Sequence, residues 1–234
     1  MSKILIFDTG FSKNLIIFYR KTFMTPDKTI MVFGAHPDDL EIGMGGTISK
    51  LIKLGYNVIM VIATLPNFTS ADKKVERKKE AQSSAKILGC TNIQFLDLSC
   101  EQLIFGRKMV SLIDSLIKKY NATTVFTQWI GDSHQDHRIL TQSVIAASRD
   151  INNFYMYETT IPGGLTEKSF RPQLYIDITP EIENKKKSLQ CFKSQIFRCG
   201  SFWIGAIDGR SKYRGYQINA EYAEAFEIIK TIQF

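Results

Sequence analysis

The chain has three histidines, and all of them fall in two short acidic segments, Ala35-His36-Pro37-Asp38-Asp39 and Asp132-Ser133-His134-Gln135-Asp136-His137. Imidazoles and carboxylates are the ligands of a catalytic zinc held by three protein groups with a fourth position open to water. His, Asp and His would supply such a set. Adjacent carboxylates in a turn do not aim at one point, so one of Asp38 and Asp39 is expected to ligate and the other to face the water. Zinc lowers the pKa of that water to about 7. A spare carboxylate can then remove its proton, and a spare imidazolium can stabilise a developing oxyanion. If the second segment is helical, His134 and His137 share a face, and Asp136 can fix an imidazole tautomer. This chemistry suits metal-assisted hydrolysis of an amide. Zinc is the expected ion; iron(II), cobalt(II) and manganese(II) accept the same ligands. An isolated His–Asp pair is ordinarily a solvated surface contact. Here, every histidine of the chain lies at a predicted strand-to-helix junction.

Those junctions follow from the apolar patterning. Thr29–Phe33 is a short β-rich run of the kind that forms a buried strand. It stops at Gly34-Ala35-His36-Pro37, because Pro37 cannot extend a ladder and disfavours a helical His36. A helix then starts at Asp38 or Asp39, with helical spacing from Leu40 to Leu54, and ends at Gly55. Gly43, Gly45 and Gly46 weaken that helix, which predicts close packing or backbone approach around them. Asn57–Ala63, Asn92–Leu96 and Thr123–Thr127 read as further strands. Lys74–Leu88, Phe105–Tyr120 and Arg138–Ser148 read as helices, with a polar loop over Leu65–Lys74. Past residue 150 the rhythm changes, with strands at Phe154–Glu158 and Leu174–Ile178 and helices at Pro180–Phe192 and Ala220–Ile229. The alternation predicts an α/β fold with a parallel sheet covered by helices. Residues 1–28 form a lead-in packed on the domain, and 29–234 form that single domain.

Composition narrows the function classes. At 234 residues, 44% hydrophobic and 23% charged, the chain can bury a full core, and it is neither collagen-like, disordered nor disulfide-dense. The apolar runs Ile4–Phe7 and Leu15–Tyr19 are far shorter than the ~20 residues of a membrane span. The net charge of +7 admits an anionic partner, but no recognition module accompanies it, so nucleic acid is not an expected partner. Cys90, Cys100, Cys191 and Cys199 form no C-x-x-C pair, which argues against a zinc knuckle. Asp8 interrupts the opening apolar run before a secretory pattern can form, so reduced thiols in a cytoplasmic protein are expected. Gly43-x-Gly45-Gly46 departs from the dinucleotide fingerprint and follows an acidic cluster that would repel a pyrophosphate.

The stretch Ala35-His36-Pro37-Asp38-Asp39-Leu40-Glu41-Ile42-Gly43-Met44-Gly45-Gly46-Thr47-Ile48 closely resembles the signature of the PIG-L/LmbE-like zinc-dependent N-acetylglucosaminyl de-N-acetylases. Asp132-x-His134-x-Asp136-His137-Arg138 resembles that family's second motif, and Arg77-x-x-Glu80-Ala81 its arginine-bearing helix. Weaker likenesses lie at Lys187 to Gln195 and at Ala223-Glu224-Ala225-Phe226. The resemblance covers roughly residues 29–230. It implies a Rossmann-like single domain, with a mostly parallel sheet flanked by helices on both faces, and removal of acetyl from an N-acetylglucosamine-type sugar or glycoside. It makes His36, Asp39 and His137 the zinc ligands and Asp38 the general base. His134 becomes the imidazolium facing the oxyanion, oriented by Asp136, and Arg77 lies near the substrate. The implied partner is a small amino-sugar, and a homo-oligomer is compatible with the sequence. Ala63–Phe68 and Ser99–Cys100 depart from the family pattern where substrate selection is expected. Two other readings fit the residues: a zinc amidase acting on a thiol conjugate or other acylated amine, and a carbohydrate-binding relative without catalysis.

Overall fold

The protein was obtained as a computed structural model that describes residues 28–65, 71–159, 163–166, 168–200 and 202–232, with the backbone alone for 71–75. The lead-in expected over residues 1–28 therefore lies almost wholly outside the described residues. The chain alternates β1 (Thr29–Gly34), α1 (Asp39–Lys53), β2 (Asn57–Thr64), α2 (Ala71–Leu88), β3 (Asn92–Leu98), α3 (Arg107–Lys119), β4 (Ala122–Gln128), α4 (Gln135–Ala147) and β5 (Asn153–Tyr157). It continues through β6 (Leu174–Asp177), α5 (Ile182–Leu189), α6 (Lys193–Cys199), α7 (Phe202–Tyr216) and β7 (Ala223–Lys230). A single seven-stranded sheet results, in the order β3-β2-β1-β4-β5-β7-β6. β1 to β5 pair in parallel, and β7 runs antiparallel to both β5 and β6.

Strand side chains alternate between the two sheet faces. Ile30 and Val32 of β1 face a core shared with Ile48 of α1, Ala81 and Ala85 of α2, Leu189 of α5 and Trp203 of α7. Met31 and Phe33 face the opposite core, with Met109 and Ile113 of α3 and Leu140 and Val144 of α4. Both faces of the central strands are thus buried, which explains why they read as continuous apolar runs.

The small-residue patch of α1 does what its composition predicts. A Cβ on Gly43 would meet the Tyr157 ring at 2.1 Å, and one on Gly46 would meet Ile178 at 2.7 Å. The helix kinks between them, where Met44 leaves helical geometry at φ −149°. The backbone groups at the kink find buried partners. Glu224 accepts from the amides of Gly46 and Thr47 at 3.0 and 2.7 Å, while Lys185 and Arg210 donate to the Ile42 carbonyl at 3.0 and 2.7 Å. Lys185 also pairs with Glu224.

Two expectations are corrected. Ala220–Ile229 is not a helix: Ala223–Lys230 forms β7. Its Ala, Glu and Lys content favours a helix, but Ala223, Glu224, Ala225 and Phe226 are all buried between two strands, and that packing overrides local preference. The segment read as a loop over Leu65–Lys74 contains the first turn of α2, which begins at Ala71. The sequence reading also left α7 unassigned, because Gly205, Gly209 and Gly215 obscure its helical pattern.

Candidate active site

β1 and β4 are neighbours in the sheet, yet the helices that follow them, α1 and α4, lie on opposite faces. That is the switch point where open α/β sheets place ligands, beyond the carboxyl ends of the strands. His36 leaves one of these strands and Asp132 to His137 follow the other, so a separation of about a hundred residues in sequence closes to direct contact.

The first turn is held from both sides. Thr64 at the end of β2 donates its amide and its hydroxyl to the Ala35 carbonyl, each at 2.8 Å, and Gln128 at the end of β4 accepts the Ala35 amide at 3.0 Å. Asp38 then adopts φ 109° and ψ −23°. A non-glycine residue so far into positive φ carries strain of about 1–3 kcal/mol, held by its surroundings. Here the Ile42 amide donates to the Asp38 carbonyl at 2.9 Å. Arg77 donates to the Pro37 carbonyl and lies 3.5 Å from Asp38 Oδ1. Asp39 folds back, and its Oδ2 accepts the His36 amide at 2.6 Å.

The second turn is built around Asp132. Its Oδ1 accepts the His134 amide at 2.8 Å, its Oδ2 accepts the Thr159 hydroxyl at 2.6 Å, and Arg138 donates to the carbonyls of Asp132 and Ser133 at 2.7 Å each. His134 caps α4, its Nδ1 accepting the Asp136 amide at 3.1 Å.

Together these turns bring the expected ligands into one cluster. Asp39 stands between two imidazoles, with Oδ2 at 3.5 Å from His36 Nδ1 and Oδ1 at 3.3 Å from His137 Nε2. Each imidazole turns its other nitrogen to an outer carboxylate. His36 Nε2 lies 3.0 Å from Asp136 Oδ2, and His137 Nδ1 lies 3.0 Å from Asp132 Oδ2. The His134 ring is centred 4.7 Å from both the His36 and His137 rings.

Burial and charge oppose each other throughout. Burial favours neutral imidazole, but Asp136 and Asp39 hold the His36 pKa well above its usual value. His137 is pushed up to about 9 in the same way, with Asp39 and Asp132 outweighing burial. Burial would raise Asp39, yet His137 and His36 hold it well below the usual carboxylate range. Burial raises Asp38 to about 6, with the Arg77 charge opposing. His134 is lowered, by burial first and then by its two imidazole neighbours.

The donor set fits a divalent cation. Asp39 reaches the two rings through different oxygens, Oδ2 toward His36 Nδ1 and Oδ1 toward His137 Nε2, and each separation is near the roughly 3.3 Å between neighbouring ligand atoms on a tetrahedral zinc at 2.0–2.1 Å. The carboxylates that hold protons on these rings would equally stabilise a cation, and a carboxylate behind each ligating imidazole is the usual outer partner. His36, His134 and His137 bring one nitrogen each within 4.8 Å of one another, a grouping that holds the three imidazoles and not Asp39. The amide on His134 Nδ1 leaves only its Nε2 to join that grouping.

The remaining expected residues are placed differently from their sequence reading. The Asp136 carboxylate contacts His36 rather than His134, which it touches through its amide. The Asp136 amide occupies Nδ1 of His134 at 3.1 Å, so a donor role toward substrate falls to Nε2. Arg77 is buried behind the first turn. It is 3% exposed, and besides Pro37 and Asp38 it contacts Ser194 Oγ at 3.1 Å and Glu80 Oε2 at 3.4 Å. Sequence reasoning missed the roles of Asp132, Gln128 and Thr64. Asp132 was visible within the second motif; the other two are ordinary polar residues at strand ends.

The switch point of this doubly wound sheet thus gathers three imidazoles, one of them buried, and the carboxylates around them. The chain belongs to the PIG-L family, GlcNAc-PI de-N-acetylase, which matches residues 31–148, and it is a hydrolase of the deacetylase class. It is 31% identical over 162 residues to the uncharacterized deacetylase YaiS of Escherichia coli (strain K12), across 66% of this chain and 84% of that protein. It is 26% identical over 225 residues to the diacetylchitobiose deacetylase of Thermococcus kodakarensis, across 88% of this chain and 84% of that one. The structure superposes on N,N'-diacetylchitobiose deacetylase from Pyrococcus horikoshii, complexed with its inhibitor MPG, with a TM-score of 0.72 at 26% identity, covering 98% of this chain and 95% of that one. Among the described residues, no helix is long and apolar enough to cross a membrane.

Proposed function

We propose that this chain is a zinc-dependent de-N-acetylase that hydrolyses the acetamido group of an N-acetylglucosamine-type sugar or glycoside to a free amine and acetate. The observation that carries the reading is the contact of Asp39 with both His36 Nδ1 and His137 Nε2, beside a strained Asp38. His36, Asp39 and His137 would hold the zinc, which when bound supplies Lewis acidity toward a water and an amide carbonyl. Asp38 takes the proton of the attacking water and returns it to the leaving nitrogen. Asp38 adjoins Asp39 and is held by Arg77, which places a carboxylate beside the proposed ligands for both transfers. His134 donates its Nε2 proton in a hydrogen bond to the developing oxyanion as a neutral ring. Asp136 and Asp132 orient the His36 and His137 rings, and Arg77 positions Asp38 from behind. Substrate class is supported by relatives named for diacetylchitobiose.

The test is acetate release from N-acetylglucosamine, diacetylchitobiose, an N-acetylglucosaminyl thiol conjugate and a simple N-acetyl amine. Release from the sugars alone is expected; release only from a conjugate or amine would replace the substrate class, and no release would remove catalysis. Asp38→Asn should keep its zinc complement while turnover falls about 10²–10⁴-fold. Unchanged turnover would exclude Asp38 as the base.

A further inference from the structure

Cys100 opens the short 3-10 turn that follows β3, Cys100–Gln102. The turn is fixed by the Ser99 amide donating to Gln102 Oε1 at 2.9 Å and the Gln102 amide donating to the Ser99 carbonyl at 3.0 Å. The thiol is half-buried, and Sγ lies 3.8 Å from Thr64 Oγ1, the hydroxyl that anchors the Ala35 carbonyl. One donor atom each from His36, Cys100 and Asp136 lies within 4.8 Å of the others. Two of these donors are already close, with Asp136 Oδ2 3.0 Å from His36 Nε2. Among the described residues, Cys100 is the one cysteine that joins such a donor group; the buried Cys90, by contrast, is turned onto the Val58 carbonyl at 3.3 Å.

We propose that His36, Cys100 and Asp136 form a second metal site, selective for soft divalent ions, whose occupation inhibits the enzyme. The site rests on the zinc reading above in one respect, because it shares His36 with the proposed catalytic set. The two sets use opposite nitrogens of that ring: Nδ1 faces Asp39 and Nε2 faces Asp136. With zinc on Nδ1, a soft ion on Nε2 would make His36 an imidazolate bridging the two ions, in place of the Nε2 proton that faces Asp136. Binding releases that proton and the thiol proton to solvent and leaves a thiolate–metal bond. The thiolate sets the preference, since sulfur favours zinc and its heavier congener cadmium, whereas carboxylate and imidazole alone accept harder ions as well. Inhibition follows from the same contacts. Asp136 leaves the ring it orients, and its amide is the group that holds His134.

The experiment uses the full chain loaded with one equivalent of zinc and titrated with cadmium chloride, alongside Cys100→Ser and Cys100→Ala prepared in the same way. Two readouts are followed: the ultraviolet sulfur-to-cadmium charge-transfer band, and acetate release relative to each protein's own rate before cadmium. The unaltered chain should gain a band that saturates near one further equivalent while its rate falls. Both variants should lack that band, and the cadmium needed for half-inhibition should rise at least about tenfold, as expected for loss of a metal partner. A band of equal size in the variants, or equal sensitivity of all three proteins, overturns the proposal. The band does not depend on turnover. If no protein releases acetate but the band separates the unaltered chain from its variants, the second site stands and the deacetylase reading falls. Acetate release with no difference in band gives the reverse.

Discussion

Asp132 shows how a residue without a catalytic role can govern the site. Its two oxygens accept the His134 amide and the Thr159 hydroxyl, and Oδ2 lies 3.0 Å from the outer nitrogen of His137. His137 holds its carboxylate pKa low against the effect of burial, so Asp132 is charged and fixes which nitrogen of His137 faces Asp39. Asp132→Asn removes the charge and keeps the shape. It should weaken zinc binding about 10–100-fold, read by competition with a chromophoric chelator, while thermal stability changes little. Equal zinc affinity in the variant would show that the His137 orientation is set by packing alone.

At the scale of the elements, α1 matters most, because it carries Asp39 at its start and crosses the sheet at a kink. The Tyr157 hydroxyl donates to the Phe33 carbonyl at 2.7 Å, so its ring cannot retreat from Gly43. Gly43→Ala should therefore cost at least about 1–3 kcal/mol, measured by urea unfolding, since overpacking here strains both α1 and β5. One turn before the kink, Glu41 accepts the Ser84 hydroxyl from α2 at 2.6 Å, and its Oε2 is buried with no hydrogen-bond partner among the described residues. Burial pushes its pKa from 4.5 to about 7. Because the folded pKa is the higher one, the folded state binds the extra proton between those values. The penalty for ionising Glu41 is absent below about pH 4.5 and full above about pH 7. In metal-free protein held in EDTA, the stability of the unaltered chain relative to Glu41→Gln should therefore fall across that window, by up to about 3 kcal/mol. A pH-independent difference would show that Glu41 ionises as freely in the fold as in water.

Across the whole molecule, one buried ion pair joins elements distant in sequence. Lys185 of α5 and Glu224 of β7 meet at the kink of α1 and satisfy its broken backbone on both sides. Removing one partner strands the other charge in the interior. Lys185→Met should cost about 3–5 kcal/mol, and Lys185→Met with Glu224→Gln should recover part of it in denaturant melts. Additive losses would mean that the two side chains act independently. The pair also shows what the irregular C-terminal third does for a site whose expected ligands all lie in the first 140 residues: it closes the helix that begins at Asp39.

The two histidine–carboxylate segments were legible in the sequence because they depend on residue type and short spacing. His36 with Asp38 and Asp39, and His134 with Asp136 and His137, are local motifs at strand ends, and the parallel half of the sheet announces itself in apolar runs bounded by glycine and proline. What lay outside local pattern had to wait for the fold. Ala223–Lys230 carries helix-favouring residues and becomes a strand only because two other strands bury it. Arg77 could be named from its motif, but its contacts with Pro37 and Asp38 come only from the packing of α2 against the first turn. Asp136 stands two residues from His134 yet gives its carboxylate to His36, a hundred positions away. Periodicity and spacing record what a segment can do alone; which carboxylate meets which imidazole is decided by how strands order in the sheet, and that order carries no local signal.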